Sequence, residues 1–383
     1  MDKIENIPLA IEKLYRADII DINGKYLAKT VKSIDIGIKT SDVIDQKKLL
    51  LSLKIIFPNK DFSKIENKLN KKKYFYLEKK ISEENYEKVM KLGDKSIKPE
   101  EKVLRIYPQK NLFSHIIGQI DDNNNGISGL EKSFNEILRK SKTDIKLTVD
   151  KDIQFLIRKE LIKYQEIFKS KGSAAILMDV NNGNILSLVS LPDFDPNQRK
   201  NITDINLINR VTKGTYELGS VFKSFTFASA LNKDLIKPET EFLNLPKSIR
   251  CEKHRIGEYD DEIPSDLSAE QILIRSGNIG SVRIAQKIGP EKYKSFLEKI
   301  GVLSQISFDI EEVSPQKNYN FGKCKLATAS YGHGIATTIL QLAKGYSIIS
   351  NGGFDIKPTL INKSIQNKKK RTRILNKGVS AEV

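Results

Sequence analysis

Tyr216-Glu217-Leu218-Gly219-Ser220-Val221-Phe222-Lys223 reads as a loop that delivers a serine onto the first turn of a helix. Gly219 permits a backbone bend, and Ser220 is a favoured helix N-terminal residue. The run that follows is apolar at Val221, Phe222, Phe225, Ala228 and Leu231, which predicts a deeply buried helix. Ser220 and Lys223 are three residues apart, so on a helix they share a face. A lysine held against a serine in apolar surroundings gives up its proton more readily. The neutral amine can then take the hydroxyl proton and turn Ser220 into a nucleophile. Taken alone, Ser-x-x-Lys arises often by chance in a lysine-rich chain, and a surface helix would carry it equally well.

Working outward, Ser173 to Val180 and Asn184 to Leu191 are strand-like runs joined by Asn181-Asn182-Gly183, a hairpin signal. The first run is nearly all apolar, which calls for helices over one face. Before it, Leu147-Thr148-Val149 reads as a short strand and Asp150 as a helix cap. The helix predicted over 151–170 has Ile153, Leu156, Ile157, Leu161, Tyr164 and Phe168 as its apolar face and Gly172 as its stop. Asp193-Phe194-Asp195-Pro196-Asn197 opens the loop that reaches the serine. Beyond the serine helix, 233–265 reads as irregular and polar. A helix starts near Ser268 and reaches Ser276-Gly277-Asn278, which by itself is also a plain helix-terminal turn. Residues 281–300 are helical again. Tyr331-Gly332-His333-Gly334 precedes an apolar helix from Thr337 that Asn351-Gly352-Gly353 stops. The remainder, 355–383, is lysine-rich and shows no closing element.

Upstream, a short helical opening leads to Arg16-Ala17-Asp18-Ile19-Ile20-Asp21-Ile22-Asn23-Gly24. Asn23-Gly24 signals a hairpin whose return strand starts at Tyr26-Leu27-Ala28, and Ile34, Ile36 and Ile38 alternate as in a further strand. Residues 41–100 read as helical and polar, giving a small non-catalytic α+β module. His115 has no nucleophile beside it and reads as a structural histidine rather than a base.

With 383 residues the chain has room for two or three domains, and 39% hydrophobic and 30% charged residues fit a globular protein. Its net charge of +17 comes from 65 Lys and Arg against 48 Asp and Glu. The lysines are scattered, with dense runs only at Lys71-Lys72-Lys73 and Lys368-Lys369-Lys370-Arg371, and no zinc-finger or aromatic-basic signature accompanies them. Nucleic acid is therefore not expected as a partner. Cys251 and Cys324 make no disulfide framework, and spacing leaves their pairing open. Cys251 and His254 have metal-like spacing without a second pair, so neither a metal nor a cofactor is expected. No apolar run approaches the ~18 residues of a membrane span, and Met1 leads straight into charged residues without a signal peptide.

Ser276-Gly277-Asn278 follows Ser220-Val221-Phe222-Lys223 by about 55 residues. In this the chain resembles the class B penicillin-binding proteins, peptidoglycan D,D-transpeptidases marked by Ser-x-x-Lys, a Ser-x-Asn type element and Lys-Thr-Gly. The surroundings carry the resemblance further. Ser173 to Ser190 is similar to the family's opening hairpin, Phe194-Asp195-Pro196-Asn197 follows it, and Asn209-Arg210 and Tyr216-Glu217-Leu218-Gly219 lead to the serine, with Leu218 where proline or methionine is common. Arg16 to Gly24 resembles an N-terminal element of the family, with Ala17 and Ile22 as departures. The stretch Asp121 to Glu131 resembles the division-specific, septal branch.

The resemblance implies an α+β fold: an N-terminal dimerisation-type (pedestal) module at 1–140, then a serine β-lactamase/transpeptidase-like domain at 141–383. In that domain an antiparallel sheet carries helices on both faces. The resemblance implies Ser220 as nucleophile, Lys223 as base, Ser276 as proton relay and Asn278 as holder of the substrate amide and positioner of Lys223. Ser220, Gly277 and Asn278 would bind substrate. Peptidoglycan stem peptides and β-lactams are the implied ligands, and divisome membrane proteins and a glycosyltransferase the implied partners, at the periplasmic face of the bacterial inner membrane. His333 is expected to pack near the site rather than to catalyse. Two departures stand out: the family's membrane helix is not found, and no Lys-Thr-Gly occurs after Asn278. The sequence is thus expected to stop before the third motif, with the fold incomplete at its C-terminus and little or no penicillin adduct. The alternatives are a non-catalytic division scaffold and a β-lactam hydrolase or sensor.

Overall fold

The computed structural model describes residues 15–198, 202–252, 254–310, 319–362 and 371–383. The expected helical opening before residue 15 and Lys368 to Lys370 lie outside them. The chain divides into two compact units: residues up to 18, 28–106 and 139–143 form one, and 19–27, 107–138 and 144–383 form the other.

The first unit is built on an antiparallel sheet of β1 (Tyr26–Ile38), β2 (Phe75–Glu78) and β3 (Ile97–Ile106), with β1 paired to both partners. Helices α1 (Gln46–Ile56), α2 (Phe62–Asn70) and α3 (Glu83–Met90) follow the expected polar helical stretch. Asp45, Asp61 and Ser82 cap them through their side chains, each satisfying an otherwise orphaned N–H. Leu49, Leu53, Ile65, Leu69 and Val89 meet Ile36, Ile38, Phe75, Leu77 and Ile97 in one apolar core. Two features differ from the sequence reading. What read as a return strand followed by a separate one is a single strand of 13 residues. In β3, Lys98, Glu100, Glu101 and Lys102 mask the apolar alternation, so the strand was not expected at all. Of the Arg16 element, Arg16 to Asp18 belong to this unit: Arg105 Nη1 donates to the Ala17 carbonyl and to Thr30 Oγ1, both at 2.9 Å.

In the second unit the Asn23-Gly24 turn is present, with Gly24 at φ +80°, and Ile19–Ile20 pairs in parallel with Ile145–Lys146. Helix α4 (Lys151–Ile167) is capped by Asp150 as expected, and ends three residues earlier than predicted. Its apolar face is a correction: Leu156, Tyr164 and Phe168 are exposed, Phe168 by 71%, and the buried residue is Gln154. That amide donates to the Leu112 and Leu188 carbonyls and accepts from Ser187 Oγ and the Leu188 N–H. All four of its hydrogen-bonding positions are used, so a polar residue docks the helix where an apolar one was read. The expected hairpin forms from β4 (Ser173–Met178) and β5 (Ile185–Leu191), with Ser173 opposite Leu191 and Gly183 at φ +78° in its turn.

The core of this unit gathers around α5 (Lys223–Leu231), whose Phe225, Phe227, Ala228 and Ala230 are buried. Against it stand α6 (Ala269–Ile274), α7 (Asn278–Ile288) and α8 (Pro290–Lys299). The helix expected over 281–300 is two helices, broken at Gly289 with φ +84°. The irregular 233–265 contains a hairpin, β6 (Ser248–Cys251) with β7 (His254–Gly257). Helices α9 (Lys323–Ala329) and α10 (Ile339–Ser350) complete the group, the latter with a Thr338–Gln341 capping box. The last residues do pack: Leu375 and Val379 join the core, and a short helix runs Val379–Glu382.

Cys251 and Cys324 are joined, tying β6 to α9 across 73 residues of sequence. By chain entropy a closed loop of that length is worth roughly 2–5 kcal/mol. The unfolding free energy of this unit from urea titration is therefore expected to fall by that amount in Cys251→Ser/Cys324→Ser, with the midpoint moving to lower urea. An unchanged midpoint would show that the bond constrains nothing.

Candidate active site

Ser220 lies at the helix start as expected, but the first turn, Gly219–Phe222, is 3-10 and leads directly into α5. Its side chain is exposed, whereas Phe222 and Lys223 behind it are buried. Three elements fix the turn. The Gly219 N–H donates to the Gly332 carbonyl at 3.3 Å, and Tyr216 and Thr337 exchange backbone hydrogen bonds of 2.9 and 3.1 Å. From α10, the Tyr346 hydroxyl donates to the Val221 carbonyl at 2.7 Å. The Tyr331-Gly332-His333-Gly334 loop thus presses on the serine turn from one side. A Cβ on Gly332 would lie 2.1 Å from the Gly219 oxygen, and Gly332 has φ +77°. Only glycine meets both demands.

Lys223 opens α5 and is 1% exposed. Its Nζ donates to Ser276 Oγ at 2.9 Å and to the Ser276 carbonyl. Burial lowers its pKa from the usual lysine value to about 8, against a smaller upward pull from the Glu258 carboxylate. A charged lysine brings three donors. With one proton gone, two N–H bonds match the two Ser276 oxygens and the lone pair is left to accept a proton. Among the described residues no hydrogen bond ties the Ser220 hydroxyl, so the structure joins Lys223 to Ser276 and leaves Ser220 three residues away on the same turn.

Ser276 has φ +55°, a left-handed conformation rare for a side-chain-bearing residue. It ends α6, with its N–H on the Leu273 carbonyl, while the next N–H, of Gly277, returns to Ile272. Gly277 is the N-cap of α7 and has no capping side chain of its own. The cap comes instead from the β7 end: Glu258 accepts the Asn278 N–H at 2.6 Å and the Ile279 N–H at 2.9 Å. Asn278 sends its Nδ2 to the Gly257 carbonyl at 3.0 Å, so among the described residues its amide is tethered to the hairpin rather than to Lys223, which does not bear out its expected role of positioning the lysine. Sequence reasoning missed Glu258, whose only signal was an acidic residue in a polar stretch.

His333 stands at the rim, 68% exposed, with Nδ1 3.3 Å from Glu217 Oε2. The Gly334 N–H donates to the same carboxylate at 2.9 Å, and the Tyr331 and His333 rings are stacked at 6.3 Å. His115 is elsewhere in this unit, buried against Phe194, and its burial pushes its pKa down to about 4. A neutral ring held at the Pro192 carbonyl fits the structural reading. No group of His, Cys, Asp and Glu with metal-binding geometry occurs among the described residues, and no helix there is long and apolar enough to cross a membrane.

The arrangement supplies an exposed hydroxyl, a buried amine of lowered basicity and a second hydroxyl in line with it. That is the equipment of serine acyl transfer. Comparison with known proteins agrees with it. Residues 173–383 match the penicillin binding protein transpeptidase domain, and residues 12–167 the penicillin-binding protein dimerisation domain. Among similar chains is a probable peptidoglycan D,D-transpeptidase FtsI of Caulobacter vibrioides, 25% identical over 374 residues, with 96% of this chain and 63% of that one covered. A probable peptidoglycan D,D-transpeptidase PbpC of Pseudomonas aeruginosa is 26% identical over 325 residues, covering 77% and 57%. Stage V sporulation protein D of Bacillus subtilis is 25% identical over 412 residues, covering 96% and 62%. The chain spans about three fifths of the length of these relatives.

Proposed function

This chain belongs to the penicillin-binding protein transpeptidase family, as a class B member with both dimerisation and transpeptidase domains, and on that premise we propose that it forms a serine acyl-enzyme in peptidoglycan cross-linking. The observation that carries the proposal is Lys223: buried, held at 2.9 Å to Ser276 Oγ and brought to a pKa of about 8 beside an exposed Ser220.

Ser220 Oγ attacks the carbonyl between the two terminal D-alanines of a stem peptide while the neutral Lys223 amine takes its proton. The Ser220 N–H at the helix start is one donor to the developing oxyanion. Ser276 Oγ passes a proton from Lys223 to the departing D-alanine amine as the C–N bond breaks. An amine from a neighbouring stem then attacks the ester, gives up its proton along the same path, and releases Ser220 with a new amide formed. Gly277 and Asn278 line the substrate at the start of α7. A penicillin meets the same serine, and its opened ring stays attached as a slowly hydrolysed ester. We place this activity in cell division at the periplasmic face of the inner membrane, alongside divisome membrane proteins and a glycosyltransferase. The working division of the chain falls near residue 140, between a pedestal part (1–140) and a transpeptidase part (141–383).

Intact-mass measurement of the 383-residue chain during long incubation with excess penicillin tests this reading. The sequence alone predicts little or no adduct; with Lys223 buried and bonded to Ser276 behind an exposed Ser220, one slow adduct mapped to the Ser220 peptide is expected instead. A folded chain that never acquires it would favour a division scaffold, and one that acquires and quickly loses it a β-lactam hydrolase.

The pH dependence has a definite sign. Below pH 8 the folded Lys223 is protonated and cannot accept the serine proton. The acylation rate is therefore expected to rise about tenfold per pH unit up to about 8 and to level off above it. Between about 8 and the ordinary lysine value the unfolded chain holds the extra proton, so Lys223 makes folding more favourable as pH rises through that window. A rate that is flat from pH 6 to 9 would remove Lys223 as the base.

A further inference from the structure

Glu258 is not one of the residues that the family's motifs single out, yet it holds the last residue of the second motif and the residue that follows it. It follows β7 directly, and its own N–H donates to the Lys247 carbonyl at 3.1 Å, closing the hairpin beneath it. Its two carboxylate oxygens take the first two backbone N–H groups of α7, at Asn278 and Ile279. The Asn278 side chain returns to the carbonyl of Gly257, the residue just before it. Hairpin and the start of α7 are therefore joined by three hydrogen bonds, two of them charge-assisted. Immediately before this clamp stands Ser276 in its left-handed conformation, a backbone state that persists only where the surroundings hold it.

We propose that Glu258 is the positioning residue of this site: its carboxylate grips the start of α7 and so fixes where Ser276 presents its hydroxyl and carbonyl to Lys223. The inference rests on the acyl-enzyme reading above. The same carboxylate has a second effect, through charge. Of the groups on the elements packed about Lys223, the Ser276 turn contributes only uncharged oxygens, and among the described residues Glu258 is the charged group that acts on the amine, favouring its protonated form. Burial and Glu258 thus pull in opposite directions. The carboxylate keeps the amine basic enough to receive the serine proton, while burial makes it neutral often enough to do so.

Glu258→Gln separates the two effects from plain stability. The amide keeps the shape, loses the charge, and turns an N–H donor toward one of the two helix N–H groups. Lys223 is read directly by NMR of side-chain-labelled lysine, assigned by its loss in Lys223→Arg, so this readout does not depend on acylation. The Lys223 midpoint is expected to fall below its value in the parent by up to about one pH unit. Glu258→Asp, which restores the charge, should bring it back toward the parent. Acylation by penicillin in Glu258→Gln should slow roughly tenfold or more, since an ångström of misplacement can cost about a hundredfold. Far-UV circular dichroism and a thermal melt establish that each variant is folded. A folded Glu258→Gln chain with the parent's Lys223 midpoint overturns the proposal, even if its melting temperature has dropped, because a cap that only stabilises α7 would behave that way. If the midpoint shifts but no chain acylates, Glu258 still positions Lys223, and it is the acyl-enzyme reading that fails.

Discussion

Ser220→Ala abolishes covalent capture of penicillin: after the longest incubation the mass spectrum shows only the unmodified chain, while the parent carries its adduct. The serine is on the surface of a turn held by Gly332, Thr337 and Tyr346, and its side chain buries nothing, so the alanine variant should fold and melt as the parent does. The loss is total because no other hydroxyl on the turn has the lysine behind it. Ser276 Oγ already accepts from Lys223 Nζ at 2.9 Å, but Ser276 is half-buried and its own N–H is already given to the Leu273 carbonyl, so it has no free N–H to receive an oxyanion. Lys223→Met gives the companion result. It keeps the volume of the stem in its buried slot and deletes the amine, and acylation should fall by about two to four orders of magnitude. Here a stability gain is expected together with the lost activity, since burying an amine is unfavourable and burying a thioether is not. An adduct that survives Ser220→Ala on the same peptide would end the assignment of the nucleophile.

Gly332→Ala is the second large effect, and it comes from a residue without a functional group. The new methyl would meet the Gly219 carbonyl oxygen at 2.1 Å and its carbon at 2.7 Å, both backbone atoms that cannot swing away. The serine turn or the Tyr331–Gly334 loop has to move. Acylation is expected to drop on the order of a hundredfold from displacement of Ser220 alone. Gly219→Ala is the control: φ there is +64°, close to that of Gly332, but no atom lies within 4 Å of the added carbon. It carries only the left-handed strain, about 1 kcal/mol, and should acylate within a few fold of the parent. Equal rates in the two variants would mean that the contact between the loops does not set the position of Ser220.

The contrast between these residues shows what a sequence makes readable. Ser220 and Lys223 were legible because their relation is local, three residues along one turn, and the hairpin of β4 and β5 because Asn181-Asn182-Gly183 marks its turn. The buried fate of Lys223 was readable from the apolar residues that follow it. Its partner was not: sequence spacing pointed the amine at Ser220, whereas the fold gives it Ser276, 53 residues further on. Glu258 was invisible for the same reason, since its role depends on where a hairpin with little apolar alternation brings it. Gln154 overturned part of a helix face, with Leu156, Tyr164 and Phe168 exposed while Ile153, Ile157 and Leu161 stay half-buried, because a fully satisfied amide can be buried as readily as a leucine. Strand β3 was hidden by its charges, and Leu375 and Val379 by the lysines around them.

The bond between Cys251 and Cys324 makes a covalent ring of the segment that holds both Glu258 and Ser276, while Ser220 and Lys223 stay outside it. A protease that cuts once within 252–323 opens this ring without releasing either piece. Both fragments keep their attachment through sulfur, the clamp on α7 remains anchored to the core on each side, and the molecule keeps its place on a non-reducing gel. Scission becomes visible only when a thiol is added. The half of the site contributed by the second motif is thereby insured against a broken backbone in a way that the half contributed by the first is not.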